Sequence, residues 1–282
     1  MSKCLINVGI APLYDAPAEE RTVVDEGLYG MAAEILEKGE SFSKIRMEYR
    51  YEGYVRNGDI LEGEWPQGIT KRRVVRRYID VMLKPEVDCP ILKSMPKGAV
   101  LAAVEPAPEE EVPKGWVKVQ LADGRKGYTK EGFLGDFVQP IFAVPQGVTE
   151  EELRDNLVKA ALQYEGTTYR WGGKSPEGID CSGLCAMAHM LNGIFIYRDA
   201  AIRDGFPIKE IAKDAMKKGD LVLFKGHVAM YMGGERKLYI HSTAKAGSDG
   251  VDINSFLPGD PLYRQDLAEG ILQVGSLFPM QG

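Results

Sequence analysis

Histidine and cysteine are scarce in this chain, three of one and four of the other in 282 residues. Cys4, Cys89, Cys181 and Cys185 are too few and too irregularly spaced for a disulfide scaffold, and free thiols point to a reducing compartment. No apolar run approaches the length of a membrane span. Met1 to Tyr14 lacks a basic start followed by a long apolar stretch, so no secretory signal is read and a cytoplasmic protein is expected. A formal net charge of −6 gives no general attraction for nucleic acid. The one dense basic cluster, Arg72, Arg73, Arg76 and Arg77, reads as a solvated face. Gly172-Gly173 has neither P-loop nor dinucleotide spacing, so no cofactor is implied.

What is present begins with a repeat, in a length that suffices for two or three small domains. With Phe42 placed on Trp116 and no gaps, Lys44 meets Lys118, Ile45 meets Val119, Gly53 meets Gly127, Tyr54 meets Tyr128 and Ile60 meets Leu134. Each copy alternates apolar and polar residues, turns, then reaches Gly-Tyr and a second short strand. That is the pattern of a small antiparallel barrel. The second copy is read from near Cys89-Pro90, with turn signals at Lys97-Gly98 and Asp123-Gly124. Its Gly-Trp-Val-Lys-Val and Gly-Arg-Lys-Gly-Tyr segments resemble bacterial SH3 domains. The expected division is a first, divergent SH3-like domain over 1–66, a second over 67–140, and a different domain over 141–282.

That last part is read as α+β, helices first and then an antiparallel sheet. Thr149 is a candidate N-cap, with Glu150, Glu151 and Glu152 suited to the positive end of a helix running to about Tyr164. A Gly- and Pro-containing loop, Gly172 to Gly178, then delivers Cys181 to the first turn of a second helix. Lys218-Gly219-Asp220 leads into a strand over 221–224, followed by a hairpin over 227–232 and 237–241.

A helix N-terminus favours thiolate over thiol, which makes Cys181 a candidate nucleophile. If Met232 pairs with Lys237, His227 lies opposite Ser242, next to His241. A shift of one residue would pair the histidines directly and put them on one face. Cys181 would then attack, His227 would carry the proton, and His241 would orient His227. Backbone N–H groups at the helix start, with the Tyr169 hydroxyl, are placed to hold an oxyanion. Cys181, Cys185 and His189 fall four residues apart on one helix face, but three ligands from one helix without a fourth do not make a structural zinc site, and no metal is expected.

The run Tyr169-Arg170-Trp171-Gly172-Gly173, Asp180-Cys181-Ser182-Gly183, Lys218 to Phe224, Gly226-His227-Val228-Ala229-Met230-Tyr231 and Ile240-His241-Ser242 resembles the NlpC-type cysteine peptidases of bacterial cell walls. The resemblance covers roughly the last half of the chain, with every block in order. It implies a papain-like fold with Cys181, His227 and His241 as the triad and Tyr169 near the oxyanion. With paired SH3-like domains in front, the chain resembles the γ-D-glutamyl-L-diamino acid endopeptidases, which cut wall stem peptides. That implies Ser182 and Asp199 as substrate-binding positions, Asp199 facing a free ammonium, and Tyr51 reaching the site from the first SH3-like domain. The implied partners are peptidoglycan-derived peptides, in cell-wall recycling. Two alternatives stay open: an exported hydrolase acting on intact murein, and an idle module whose barrels bind peptides.

Overall fold

The computed structural model describes residues 2–279 and divides into two compact units, Met1–Phe137 and Val138–Gly282. The first unit is all strand: β1 Ser2–Ile6, β2 Ile10–Tyr14, β3 Val23–Leu28, β4 Ala32–Lys38, β5 Phe42–Met47, β6 Glu52–Arg56 and β7 Ile60–Glu62. There follow β8 Thr70–Val74, β9 Tyr78–Met82, β10 Ile91–Pro96, β11 Val100–Ala103, β12 Trp116–Gln120, β13 Lys126–Lys130 and β14 Leu134–Asp136. Period-two alternation makes these strands; in β5, Ser43, Ile45 and Met47 are buried while Phe42, Lys44 and Arg46 face outward.

The repeat extends further than the residues that betray it. The sheets run β3-β2-β6-β5-β4-β1-β7 and β10-β9-β13-β12-β11-β8-β14, one order carried over strand for strand. Strands β1–β4 precede their counterparts by 68 positions (Ser2 to Thr70, Ala32 to Val100) and β5–β7 by 74 (Phe42 to Trp116, Ile60 to Leu134). The additional residues lie in the loop over 104–115, and the second copy begins at Thr70, well before Cys89. Among the described residues no ladder joins β3 to β7 or β10 to β14, so each sheet is open where a closed barrel is expected. The copies share a core: Tyr29 packs with Val74, Val81, Leu101 and Leu121, and its hydroxyl accepts from Ala122 N (2.6 Å). The basic cluster is only half a solvated face. Arg73 is buried over the Phe137 ring, and Arg72 donates to Gly135 O and Leu134 O, while Arg76 and Arg77 are exposed.

The second unit carries α1 Glu150–Leu162, β15 Lys174–Ser175, β16 Gly178–Ile179, α2 Cys181–Leu191, β17 Lys209–Ile211, β18 Leu221–Phe224, β19 His227–Gly233, β20 Leu238–Thr243, β21 Gly250–Ser255, α3 Gln265–Glu269 and β22 Gln273–Ser276. Thr149 and Glu152 close a reciprocal capping box at the start of α1. Helix α2 is buried from Cys181 to Met190, which is how an all-round apolar helix settles in a core. It packs on α1 and on β19 and β20 of an antiparallel sheet ordered β17-β22-β18-β19-β20-β21. The Lys-Gly-Asp turn before β18 has a structural task. Asp220 takes Arg154 of α1 (2.7 Å) and Ser276 of β22 (2.6 Å), locking helix to sheet.

Candidate active site

Cys181 is the first residue of α2, and Asp180 is its N-cap, accepting from Gly183 N (2.5 Å) and, through its other oxygen, from Gly172 N (2.9 Å). A Cβ on Gly183 would lie 2.2 Å from Gly173 O, so only glycine lets the loop pass this close to the helix. Arg198, 2% exposed, completes the clamp. Its Nη1 donates to Asp180 Oδ1 (3.0 Å) and Ser182 Oγ (2.8 Å), and its Nη2 to Asp180 Oδ2 (3.1 Å) and Gly172 O (3.0 Å). The planar fork suits this bidentate task.

Two links tie the helix start to the sheet. The Cys181 sulfur takes a hydrogen bond from the N–H of Val228, the residue after His227, and another from Ser182 N–H. Ser242 Oγ, beside His241, donates to Ile179 O (2.7 Å) just ahead of Asp180. Cysteine and histidines thereby meet at one edge.

The hairpin register differs from the expected one. Met230 pairs with Ile240 and Tyr231 with Tyr239, then a bulge intervenes before Gly233 pairs with Leu238. Continued one residue, this puts Ala229 opposite His241, and His227 becomes its diagonal neighbour on the same face rather than its direct partner. The rings meet edge to face, with His227 Nε2 2.8 Å from His241 Nδ1. The next strand adds a member the sequence reading missed. Asp252 lies opposite His241 in the ladder but is held by Ser248 Oγ (2.7 Å), while Asn254 Oδ1, two residues along on the same face, sits 2.9 Å from His241 Nε2.

Electrostatics hold these groups neutral at rest. Burial pushes the Cys181 thiol above its usual value, and the Asp180 carboxylate adds to this; the Val228 and Ser182 amides and Arg198 pull the other way. The helix terminus therefore does not win, contrary to the expected lowered thiol. His227 is pushed down to about 3, by burial first and then by His241 and Arg264. Burial also lowers His241, which is fully enclosed. Tyr169, half-buried, has its phenol raised to about 12 by burial and then by Cys181 and Asp180, so it stays a donor beside the sulfur.

Ser182 and Asp199 line one small groove with Cys185, Tyr197, Arg203 and Val228, and the Tyr197 hydroxyl donates to Asp199. Tyr51 is in the other unit, in the turn between β5 and β6, where its carbonyl accepts from Met47 N (2.9 Å). His189 is fully buried and its Nδ1 donates to Cys185 O (2.7 Å). Among the described residues no three His, Cys, Asp or Glu side chains form a group suited to a metal. Arg198 and Asn254 carry weak sequence signals: a lone arginine before Asp199, and polar residues alternating in an unremarked strand.

A model of the NlpC/P60 family matches residues 166–260. The chain is 44% identical over 275 residues to the dipeptidyl-peptidase 6 of Lysinibacillus sphaericus, covering 95% of this chain and 97% of that one. It is 40% identical over 91 residues to the bifunctional muramidase/DL-endopeptidase CwlT of Bacillus subtilis, 29% of this chain and 27% of that one. An NlpC/P60 family protein from Bacillus cereus, known from its crystal structure, superposes with a TM-score of 0.74 at 20% identity, covering 97% of this chain and 98% of that one, and so shares the fold.

Proposed function

We propose that this chain, which belongs to the NlpC/P60 family, hydrolyses the γ-D-glutamyl–L-diamino acid bond of small peptidoglycan stem peptides that carry a free N-terminal L-alanine. The family is one of cysteine peptidases on a papain-like fold, peptidoglycan endopeptidases among them. The observation that carries the finer reading is the meeting of Cys181, His227 and His241 at one sheet edge, with the Ser182–Asp199 groove beside it. Near full-length similarity to a dipeptidyl-peptidase supports it.

In this reading a substrate carbonyl settles against the start of α2. As the Cys181 sulfur attacks, its proton passes to His227 Nδ1, so no separate thiolate need accumulate. The oxyanion is held by the Cys181 N–H and the Tyr169 hydroxyl. His227 then protonates the departing amine, leaving a γ-glutamyl thioester. Water, deprotonated by His227, cleaves it. Asp199 pairs with the substrate ammonium, and Ser182, fixed by Arg198, lines the same groove. Tyr51, the SH3-like character of the paired sheets, and the division at 1–66, 67–140 and 141–282 belong to this proposal, as does a place in the cytoplasm recycling wall fragments. Among the described residues no helix is long and apolar enough to cross a membrane.

A second reading, a hydrolase of intact murein, draws on relatives named a bifunctional muramidase/DL-endopeptidase and a murein DD-endopeptidase, which match 29% and 26% of this chain. One experiment separates the two. L-Ala-γ-D-Glu-L-Lys and its N-acetylated form are offered to wild type and to Cys181→Ala. Cleavage of the free amine alone, lost in Cys181→Ala, is expected; cleavage of both forms or of sacculi supports the murein reading. Asp199→Ala should erase the preference for the free amine, and unchanged selectivity would remove Asp199 from substrate binding. Binding without turnover by the wild type would make the chain an idle module.

A further inference from the structure

We propose that Asn254 is a positioning residue: its side-chain oxygen fixes which nitrogen of His241 carries the proton, and through His241 it fixes His227 in the tautomer able to take the Cys181 proton. The inference rests on the peptidase reading above for its catalytic consequence, but the proton arrangement itself follows from the hydrogen-bond partners together with the burial that keeps His241 neutral.

An amide oxygen can only accept. At 2.9 Å from Asn254 Oδ1, His241 Nε2 must therefore carry a hydrogen. A neutral imidazole has one such hydrogen, so His241 Nδ1 is bare and accepts. Its neighbour at 2.8 Å, His227 Nε2, must then be the donor, and His227 Nδ1 is left as the base. Burial favours neutral rings throughout: His241 is fully enclosed and Asn254 is 9% exposed. The row crosses three adjacent strands obliquely, one residue each from β19, β20 and β21. Each step lies on the same face, because the residues sit two positions from direct opposition.

The reverse arrangement is what the site must exclude. Were Nδ1 of His241 protonated, it would donate to His227 Nε2 and force the His227 hydrogen onto Nδ1. A base protonated at the nitrogen facing the sulfur cannot accept a thiol proton. A neutral orienting histidine can point either way, unlike a carboxylate, so a third group is needed to choose. The charged and titratable groups around His241 do not make that choice. They are His227 on β19, Tyr239 on its own strand, Asp252 on β21, and Arg264 and Asp266 from the segment entering α3. Asp252 is engaged by Ser248, and Asp266 by Arg264 and Lys245.

The test has two parts. In protein labelled with nitrogen-15 in its three histidines, NMR reads each tautomer directly. Expected are Nε2–H on His241 and His227, against Nδ1–H on His189, which donates to Cys185 O and serves as the internal contrast. His241 protonated at Nδ1 in the wild type would overturn the inference whether or not the variants fold. In the second part, Asn254→Ala should lower kcat about ten- to a hundredfold with KM changed less than about twofold. Asn254→Asp still accepts from Nε2–H and should recover most of that loss at its own optimum. Its added negative charge favours imidazolium, so the acid limb of the profile should move to higher pH. Full activity in Asn254→Ala, or no rescue by Asn254→Asp in a folded protein, would remove the role. If the wild type cleaves no wall peptide at all, the proposed function fails, while the tautomers still decide what Asn254 does.

Discussion

The second unit holds two buried arginine–aspartate pairs, one under the cysteine and one behind the sheet. Arg198 binds Asp180, Ser182 Oγ and Gly172 O, and Arg154 binds Asp220, Ser276 Oγ and Lys218 O. Both guanidinium groups are almost wholly enclosed, and both spend donors on a buried aspartate, a hydroxyl and backbone carbonyl oxygen, Arg154 reaching the half-exposed Glu150 carboxylate as well. They differ in what the aspartate holds. Asp220 accepts from Lys217 N and fixes a turn against α1, so its pair secures the frame. Asp180 caps the helix that begins with the thiol, so its pair sets the position and the charge around the sulfur. Burying an ion pair contributes little net stability over a good apolar contact, whereas removing one partner is costly. What such a pair gives reliably is placement, and its value depends on what is being placed.

The largest expected effect comes from Arg198→Met. It strands the Asp180 carboxylate, and stability should fall by about 3–5 kcal/mol. Turnover by the folded fraction should fall about a hundredfold, since the helix start is no longer fixed to within an ångström. The thiol should also rise further, read as slower alkylation at a given pH, because Arg198 is one of the groups that lower it. Arg154→Met should cost a similar 3–5 kcal/mol in urea unfolding and leave kcat of the folded fraction unchanged. A matching loss of kcat would break the comparison, showing that the frame and the site are one device. Adding Asp220→Leu to Arg154→Met should return part of the stability, since no buried charge then lacks a partner.

The smallest effect concerns groups that stay neutral when buried. His189 is pushed down to about 4 and His227 to about 3, both by burial, and His241 is lowered too. As pH falls through 6.5, the unfolded chain binds protons that the native state refuses. Stability is thus intact above that value and declines on the way down to about 4 for His189 and lower for His227. Each fully buried histidine should contribute a slope of about 1.4 kcal/mol per pH unit. Urea titrations stepped from neutral to mildly acid pH measure the total, and His189→Gln should remove one histidine's share. A slope unchanged in that variant would mean that His189 does not stay neutral in the fold.

Much of this was readable beforehand where local chemistry decides. The gapless match of Phe42 with Trp116 exposed the repeat because β5–β7 and β12–β14 keep one spacing. The four strands ahead of them escaped notice because their spacing is shorter and their residues differ. The Thr149 N-cap needs only the residues just after it and formed as expected, with Glu152 adding the return half of a capping box. The helix after Asp180 was equally local. Strand β21 was not read, and Asn254 went with it, since Gly250 to Ser255 lacks the branched apolar density of β18.

By itself the sequence determined which residues could do chemistry and on which kinds of element they ride, because caps, turns and periodicity act within a few residues. Tertiary structure decided the rest. The register of β19 on β20, bulge included, set His227 a diagonal step from His241 instead of opposite Ser242, and only the neighbouring strand could reveal that. It also made Arg198, an unremarkable arginine in the chain, the clamp beneath the thiol. And it set the protonation of the site, since the helix terminus acts locally but burial is a property of everything packed around the sulfur, and here burial is the larger effect.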